Sequence, residues 1–332
     1  MIRKLTIVLL LLTIVAPAAA QEVVVSGLVN PRGLTFDSDG NLYIVEAGNG
    51  GDFEVTGGRA PIPVGSTGKI TRVSPEGDVE VIALGFGSQN PSDTRGASAI
   101  LVTDTSIWVA LGETPNALPF SMGLVELTRD TLRIKTFVDL YSVEEAENPD
   151  GDIVASNPVD FAVADDGTIY IIDASANSMY SWTPGTEPQI AAAWEIGESS
   201  PVPTSVDIGP DGDLYVGFLG GFPFESGQTK IERWSGGALA ETFGGLTAIT
   251  DVLVTDDGTI YAVEFAAGLG DVGFIPDSGR VLIVSEDGLT PVMEGLPNPY
   301  GLAQAPDGSI VVSVVSAFNT SGGGMVIAVE GQ

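Results

Sequence analysis

Ala248-Ile-Thr-Asp-Val-Leu-Val-Thr-Asp-Asp-Gly-Thr-Ile-Tyr-Ala-Val-Glu-Phe265 places two apolar, β-branched runs on either side of an Asp-Gly pair. Such runs around Asp-Gly mark a β-hairpin, because this pair suits a turn in which both central residues take positive φ. The pattern returns at 30–47, 157–174, 203–219 and 298–315, and at 97–112 with Thr105 in place of the glycine. Anchored on Gly40, Thr105, Gly167, Gly212, Gly258 and Gly308, the spacings are 65, 62, 45, 46 and 50 residues. The shorter ones match one four-stranded propeller blade.

A third β-rich run follows in every unit, at 69–74, 124–128, 178–183, 230–235, 280–285 and 325–330. A fourth follows in five units, at 79–85, 133–139, 189–195, 238–244 and 290–295, but the last unit has none. Residues 22–28 stand before Asn30-Pro31 as 292–296 stand before Asn298-Pro299, so they are expected to supply the missing strand. The expected fold is all-β: a six-bladed β-propeller of four-stranded blades, closed by the N-terminal strand joining the last blade. An open solenoid would also repeat, but the terminal exchange argues against it, and closure removes exposed sheet edges.

Residues 1–20 read as a signal peptide, with Arg3 and Lys4 before the apolar run 5–15, Pro17 breaking it, and Ala18-Ala19-Ala20 as the cleavage site. A retained anchor is the other reading, but the run falls short of the roughly 20 residues that span a bilayer. Residues 21–332 then form a single propeller domain, expected to be secreted or periplasmic, with no membrane insertion after cleavage. Without Arg3 and Lys4, 11 basic side chains face 44 acidic ones, which excludes nucleic acid as a partner. The chain has no Cys, so its stability rests on burial; it has no His, which removes His general bases, Ser-His-Asp triads and His-ligated zinc.

In a propeller the tight turns lie on one face and the longer connections on the other. Here the long connections are 48–68, 112–123, 141–157, 217–227 and 266–279, and function concentrates on such loops. Two rings of equivalent positions fall near the channel mouth on that face. One reads Gly33, Ser98, Asp160, Ser205, Asp251, Gly301; the other reads Glu46, Leu111, Asp173, Phe218, Glu264, Val314. Glu46, Asp160, Asp173, Asp251 and Glu264 together make a candidate metal set, with Ca²⁺ as the cation that all-oxygen ligands suit. The competing reading has the same acids capping strands, accepting backbone hydrogen bonds, or pairing with Arg32 and Arg95. Candidate ligand-binding residues are Arg32 and Tyr300, Asn148, Asp150 and Asn157 in the Asn/Asp/Pro-rich loop, and Phe222 and Phe224 in Gly-Gly-Phe-Pro-Phe. That polar loop also reads as a plain turn-rich linker, and the two phenylalanines as a plug of the channel mouth. The glycines at 48, 50, 51, 57 and 58 lack the helix and Lys-Ser/Thr pair of a phosphate loop. Asn319-Thr320-Ser321 is a glycosylation sequon, relevant in a eukaryotic source.

The stretches 30–51, Asn148-Pro-Asp-Gly with Ser156-Asn-Pro, Val202-Pro-Thr-Ser-Val, Gly220-Gly-Phe-Pro-Phe and Asn298-Pro-Tyr-Gly resemble the ScyD/ScyE family of exported bacterial NHL-like propellers. The resemblance spans essentially the whole of 21–332; the unit lacking the Asp-Gly turn, 97–112, departs furthest. It implies a periplasmic propeller and, through the members that name the family, an association with making the pigment scytonemin. It transfers no catalytic residue. The architecture is also similar to gluconolactonase-type, strictosidine-synthase-like and streptogramin-lyase propellers, of which the lyases rely on His that this chain lacks.

These observations favour a non-catalytic binding or scaffold protein, with a small molecule, glycan or protein on the long-loop face. A metal-assisted, lactonase-like hydrolase and an accessory role in pigment biosynthesis are the alternatives.

Overall fold

The computed structural model describes residues 21–55, 62–90, 94–114, 118, 120–318 and 322–329. The expected signal peptide and the sequon 319–321 lie outside the described residues.

One four-stranded sheet joins the two ends of the chain. It orders β1 (Val23–Leu28), β25 (Gly324–Ala328), β24 (Ile310–Val314) and β23 (Leu302–Gln304). The N-terminal strand therefore pairs where the pattern placed it, antiparallel to β25, with Leu28 opposite Gly324. Three further sheets each take four consecutive strands. They are β11 (Pro158–Val163) to β14 (Gln189–Ala193) through β12 (Ile169–Asp173) and β13 (Ser178–Trp182); β15 (Pro203–Ile208) to β18 (Ala238–Leu246) through β16 (Leu214–Phe218) and β17 (Thr229–Ser235); and β19 (Ile249–Val254) to β22 (Gly288–Leu296) through β20 (Ile260–Glu264) and β21 (Gly279–Ser285).

Between the first and the remaining sheets the expectation of separate blades is corrected. β2 (Pro31–Phe36), β3 (Leu42–Glu46), β4 (Phe53–Val55), β5 (Ile62–Val73), β6 (Val79–Gln89), β7 (Arg95–Val102), β8 (Ser106–Leu111), β9 (Gly123–Thr128) and β10 (Ile134–Asp139) run together as one nine-stranded sheet. So four separate four-stranded sheets stand where six were expected. The physical cause is the length of β6. It continues past Gly85 and hydrogen-bonds to the start of β7, at Ser88 with Gly96 and Gln89 with Arg95, bridging two sets of four strands.

The turns also differ from expectation. Gly40, Gly167, Gly212, Gly258 and Gly308 have φ of 80–90°, whereas the aspartates before them do not take positive φ. Paired bonds such as Thr255 N–H to Thr259 O and Gly258 N–H to Thr255 O define a type I turn followed by one left-handed glycine. The aspartate is free of that strain and instead accepts the N–H two residues on, as Asp257 does from Thr259.

Burial falls from the centre outward. The second strands β3, β8, β16 and β20 are buried at every position, while the outer strand β14 reads exposed at four of five. Apolar layers between successive sheets explain the two-sided burial. Trp108 and Leu124 pack with Ile171 and Tyr180; Ile172 and Met179 with Val216 and Phe218; Val263 and Val281 with Val312 and Ile327. Val311 and Val326 of the terminal sheet pack on Leu42 and Ile44 of the first hairpin. One short helix, α1 (Tyr141–Glu147), interrupts the long connection before β11. Among the described residues no helix is long and apolar enough to cross a membrane.

Candidate functional site

The first strands β2, β7, β11, β15, β19 and β23 all contribute to one central cavity of about 290 Å³. The lining runs from the middle of these strands to their tight-turn ends, at Phe36, Leu101, Asp207, Leu253 and Gln304, while Arg32 and Tyr300 stand just before it at the long-connection end. Asp160, Asp207 and Asp251 line it. Each keeps partial exposure, to the cavity, yet is enclosed by neighbouring strands. Asp160 accepts the Val206 N–H at 2.8 Å, Asp207 the Val254 N–H at 2.7 Å, and Asp251 the Leu302 N–H at 2.6 Å. Asp207 also accepts its neighbour Ile208 N–H, and Asp251 accepts Ser205 Oγ and Val252 N–H. Every one of these carboxylates thus reaches a strand of the next sheet.

Burial outweighs those hydrogen bonds. It pushes the Asp207 carboxyl up to about 6 and that of Asp251 up to about 7, with the Asp207 charge adding to the second. Asp160 is held well above the usual carboxylate range by burial and then by Asp251. Two acids this close cannot both ionise freely, and they share their protons as a pair.

Arg32 and Tyr300 sit one residue before Gly33 and Gly301. The guanidinium carbon lies 4.6 Å from the Tyr300 ring centroid, a cation–π stack. An Arg32 terminal nitrogen donates to Thr94 O, while its Nε is buried without a partner; the residue is 9% exposed. Burial raises the Tyr300 phenol, countered by Arg32, with Asp160 and Asp251 adding their charge. Arg32, Tyr300, Asp160 and Asp251 therefore form one electrostatic group from four sheets.

The other acids of the expected metal set lie in a different role. Glu46 accepts Val29 N–H at 2.6 Å, Thr71 Oγ1 and a Lys69 ion pair at 3.1 Å. Glu264 accepts Thr247 N–H and pairs with Arg280. Asp173 accepts Asn157 N–H at 2.7 Å, Ser156 Oγ, and the N–H groups of Ser175 and Ala176. Each ends a second strand and captures the linker entering the first strand of its own unit. Among the described residues no three acidic side chains stand close enough to hold a metal ion.

The loop residues scatter. Asn148 ends α1 in a left-handed conformation and donates to Asp152 O; Asp150 accepts from Asn177 at 2.8 Å; Asn157 accepts Glu113 N–H at 2.8 Å. Phe224 packs on Phe274, 4.9 Å between centroids, and Phe274 on Phe265, away from the channel acids. Phe222 is 77% exposed beside a cavity of about 310 Å³ lined by Glu198, Phe224 and Gln228. Large apolar side chains are in fact exposed on every long connection: Phe53, Phe120, Ile153, Phe222, Val272 and Phe318. Asp207 and Glu144 were missed by sequence reasoning. Asp207 falls one rung below the ring at Ser205, a rung where the other units are uncharged. Glu144 looks like any acid of a polar linker.

No protein-family model and no curated protein sequence matches the chain. Solved structures do. A gluconolactonase from Xanthomonas campestris superposes with a TM-score of 0.56 at 13% identity, covering 92% of this chain and 88% of that one. Luciferin-regenerating enzyme gives 0.57 at 11% identity, covering 94% of each. A streptogramin B lyase gives 0.51 at 14% identity, covering 93% of this chain and 97% of that one. At such identities the likeness establishes the fold alone: an all-β β-propeller with four-stranded blades.

Proposed function

We propose that this chain is an exported, ScyD/ScyE-like six-bladed propeller that binds a neutral, hydroxyl- or carbonyl-bearing small molecule at the long-loop mouth of its channel. In this reading the nine-stranded sheet is two blades joined by the overhang of β6, and β1 closes the ring. The six first strands around one cavity support it. The observation that carries the binding site is the buried, unpartnered Nε of Arg32, stacked on Tyr300, whose phenol also feels the charges of Asp160 and Asp251. A buried cationic donor lacking an acceptor costs folding free energy that a bound oxygen returns. An anionic ligand would meet two carboxyls; a polyol or lactone offers an acceptor to Arg32 and donors to the aspartates. The exposed apolar tips around the mouth suit a ligand with an apolar body.

Calorimetric titration of a six-carbon sugar lactone, its open polyol and a phenolic glycoside tests this. Saturable binding by at least one, weakened tenfold or more by Arg32→Lys, is expected. No binding by any of them, or binding indifferent to Arg32, overturns it.

A lactonase-like hydrolase is the second reading, favoured by the raised carboxyls of Asp160 and Asp251, since a carboxyl titrating near neutrality can give and take protons. It requires lactone consumption, followed by base uptake, that Asp251→Asn abolishes while binding persists.

A further inference from the structure

Unpartnered buried polar atoms are not spread over this molecule. Among the described residues seven buried side-chain nitrogen or oxygen atoms lack a hydrogen-bond partner, and five lie around α1: both carboxylate oxygens of Glu144, Asn148 Oδ1, Ser178 Oγ and Tyr180 Oη. Glu144 is 0% exposed. Proteins rarely leave such groups unsatisfied, and a carboxylate least of all.

The fold brings these atoms to one place. Glu144 and Asn148 stand one turn apart on the same side of α1, Asn148 N–H closing on Glu144 O. Ser178 and Tyr180 lie two apart on β13 and so share a face; their hydroxyls are near enough for Ser178 to act on the Tyr180 phenol but make no hydrogen bond of normal geometry. Ser178 pairs with Asp173 across the sheet. Asp173 and Asp150 both add their charge to Glu144 and to Tyr180. Ala155's amide lies near Glu144 but makes no hydrogen bond of normal geometry to it. No ion pair among the described residues involves Glu144, Asp150 or Asp173. Three acids and three neutral oxygens are therefore gathered beside α1 and the start of β13, and among the described residues none of the acids has an ion-pair partner.

We infer that this cluster of unpartnered oxygens binds a hard divalent cation, Ca²⁺, with Glu144 as its carboxylate ligand and Asn148 Oδ1 and the hydroxyls of Ser178 and Tyr180 as neutral ligands. All the free atoms are oxygens, which selects Ca²⁺ over softer metals, and Ca²⁺ accepts carbonyl and hydroxyl oxygens in irregular, flexible shells. Asp150 and Asp173 are committed to Asn177 and to backbone N–H groups, and they supply field rather than ligation. One carboxylate with neutral oxygens also agrees with the absence of any three converging acids. The ion ties α1 and the Asn148-Pro149-Asp150-Gly151 turn to the edge of β13. It stands apart from the channel and does not depend on the binding reading above.

Calcium chloride is titrated calorimetrically into chelator-treated protein lacking residues 1–20, and terbium luminescence excited through tyrosine is followed alongside. A single saturable site, a rise in melting temperature with Ca²⁺, and terbium emission displaced by Ca²⁺ are expected. Glu144→Gln should weaken Ca²⁺ binding at least tenfold and make the melting temperature insensitive to chelator. Asp251→Asn should leave both unchanged. Because Gln removes a buried charge, the variant's own melting temperature in chelator should match or exceed that of the wild type, which separates lost binding from lost folding. Absence of heat and of any melting shift overturns the site, as does a Ca²⁺ response that survives Glu144→Gln.

Discussion

Asp207→Asn is the substitution that most directly probes the energetics of the central cavity. The aspartate titrates at about 6 in the fold against an ordinary 3.8. The folded protein thus holds this proton more tightly than the unfolded chain does. Between pH 4 and 6 folding takes up a proton, so stability is greatest below that window, falls as pH rises through it, and is level above it. A shift of just over two units corresponds to about 3 kcal/mol, an upper bound because Asp207 keeps partial exposure to the cavity. Asparagine keeps one oxygen for Val254 N–H but turns an N–H₂ toward the second amide, Ile208, at a cost of about 1 kcal/mol. Asparagine should therefore be less stable than wild type by about 1 kcal/mol at pH 4 and more stable by about 1–2 kcal/mol at pH 8. Urea unfolding at pH 4, 5, 6 and 8 reads both curves. Asp160 and Asp251 titrate across a neighbouring range in both proteins, so the informative quantity is the difference between the curves. Two parallel curves would refute the reasoning, since the carboxylate would then be as well solvated inside the cavity as in water.

Three other perturbations follow from the same contacts. Leu28 is 3% exposed where β1 pairs with β25, and Leu28→Ala should cost about 2–4 kcal/mol by chemical denaturation; removing residues 21–28 should expose the β25 edge and promote association on gel filtration. Glu264→Ala strands Thr247 N–H and the Arg280 guanidinium and should cost about 3–5 kcal/mol, whereas Glu264→Gln, which still accepts the N–H, should cost less than half of that in the same assay. A Cβ at Gly33 would stand 2.7 Å from Ser98 O and from Ala99 Cα, so Gly33→Ala should lower the melting temperature by several degrees even though the backbone conformation suits alanine.

The strands were legible because a repeat states the same β pattern many times, and a fault in one unit, such as Thr105, is outvoted by the others. The N-terminal strand was legible for the same reason: its place before Asn30-Pro31 copied that of 292–296 before Asn298-Pro299. The turn geometry was not. Asp-Gly fits two hairpin types, and which one forms depends on how the flanking strands register. The merging of strands into nine was also hidden, because residues 86–89 carry glycine and polar residues that give no strand signal of their own. As for the site, equivalent positions revealed acids but not their occupation. Glu46, Asp173 and Glu264 align as a ring, yet each side chain turns to its own linker. Glu144 could not be found from pattern at all. Its burial follows from the packing of Leu140 and Val143 into the layer around Tyr180, because Glu144, four residues after Leu140, shares that inward face.

The cavity acids follow from how adjacent first strands meet. At Gly301 and Gly33 the backbones nearly touch: a Cβ at Gly301 would stand 2.6 Å from Arg32 O. There the strands are joined by short hydroxyl bridges, Ser313 to Arg32 O at 2.8 Å and Ser98 to Pro158 O at 3.2 Å. Around β15 and β19 such bridges recur, Thr204 to Ile249 O at 2.7 Å and Thr250 to Tyr300 O at 3.0 Å, and Asp160, Asp207 and Asp251 add a second joint, each spanning to a backbone N–H of the next strand. A carboxylate is a longer clamp than a hydroxyl, and it brings a charge that the cavity solvates poorly. The same residues are thus structural in origin and raised in pKa as a consequence, with no selection for chemistry required. What lifts the mouth above a structural joint is Arg32, whose Nε serves no strand and no clamp. Arg32→Lys tests this division. A lysine keeps the charge near Tyr300 but lacks the planar stack on its ring and the Nε donor. If Arg32 only supplies a packed charge beside Tyr300, Arg32→Lys leaves ligand affinity unchanged; if its free donor serves a ligand, affinity falls while stability at neutral pH holds to within about 1 kcal/mol.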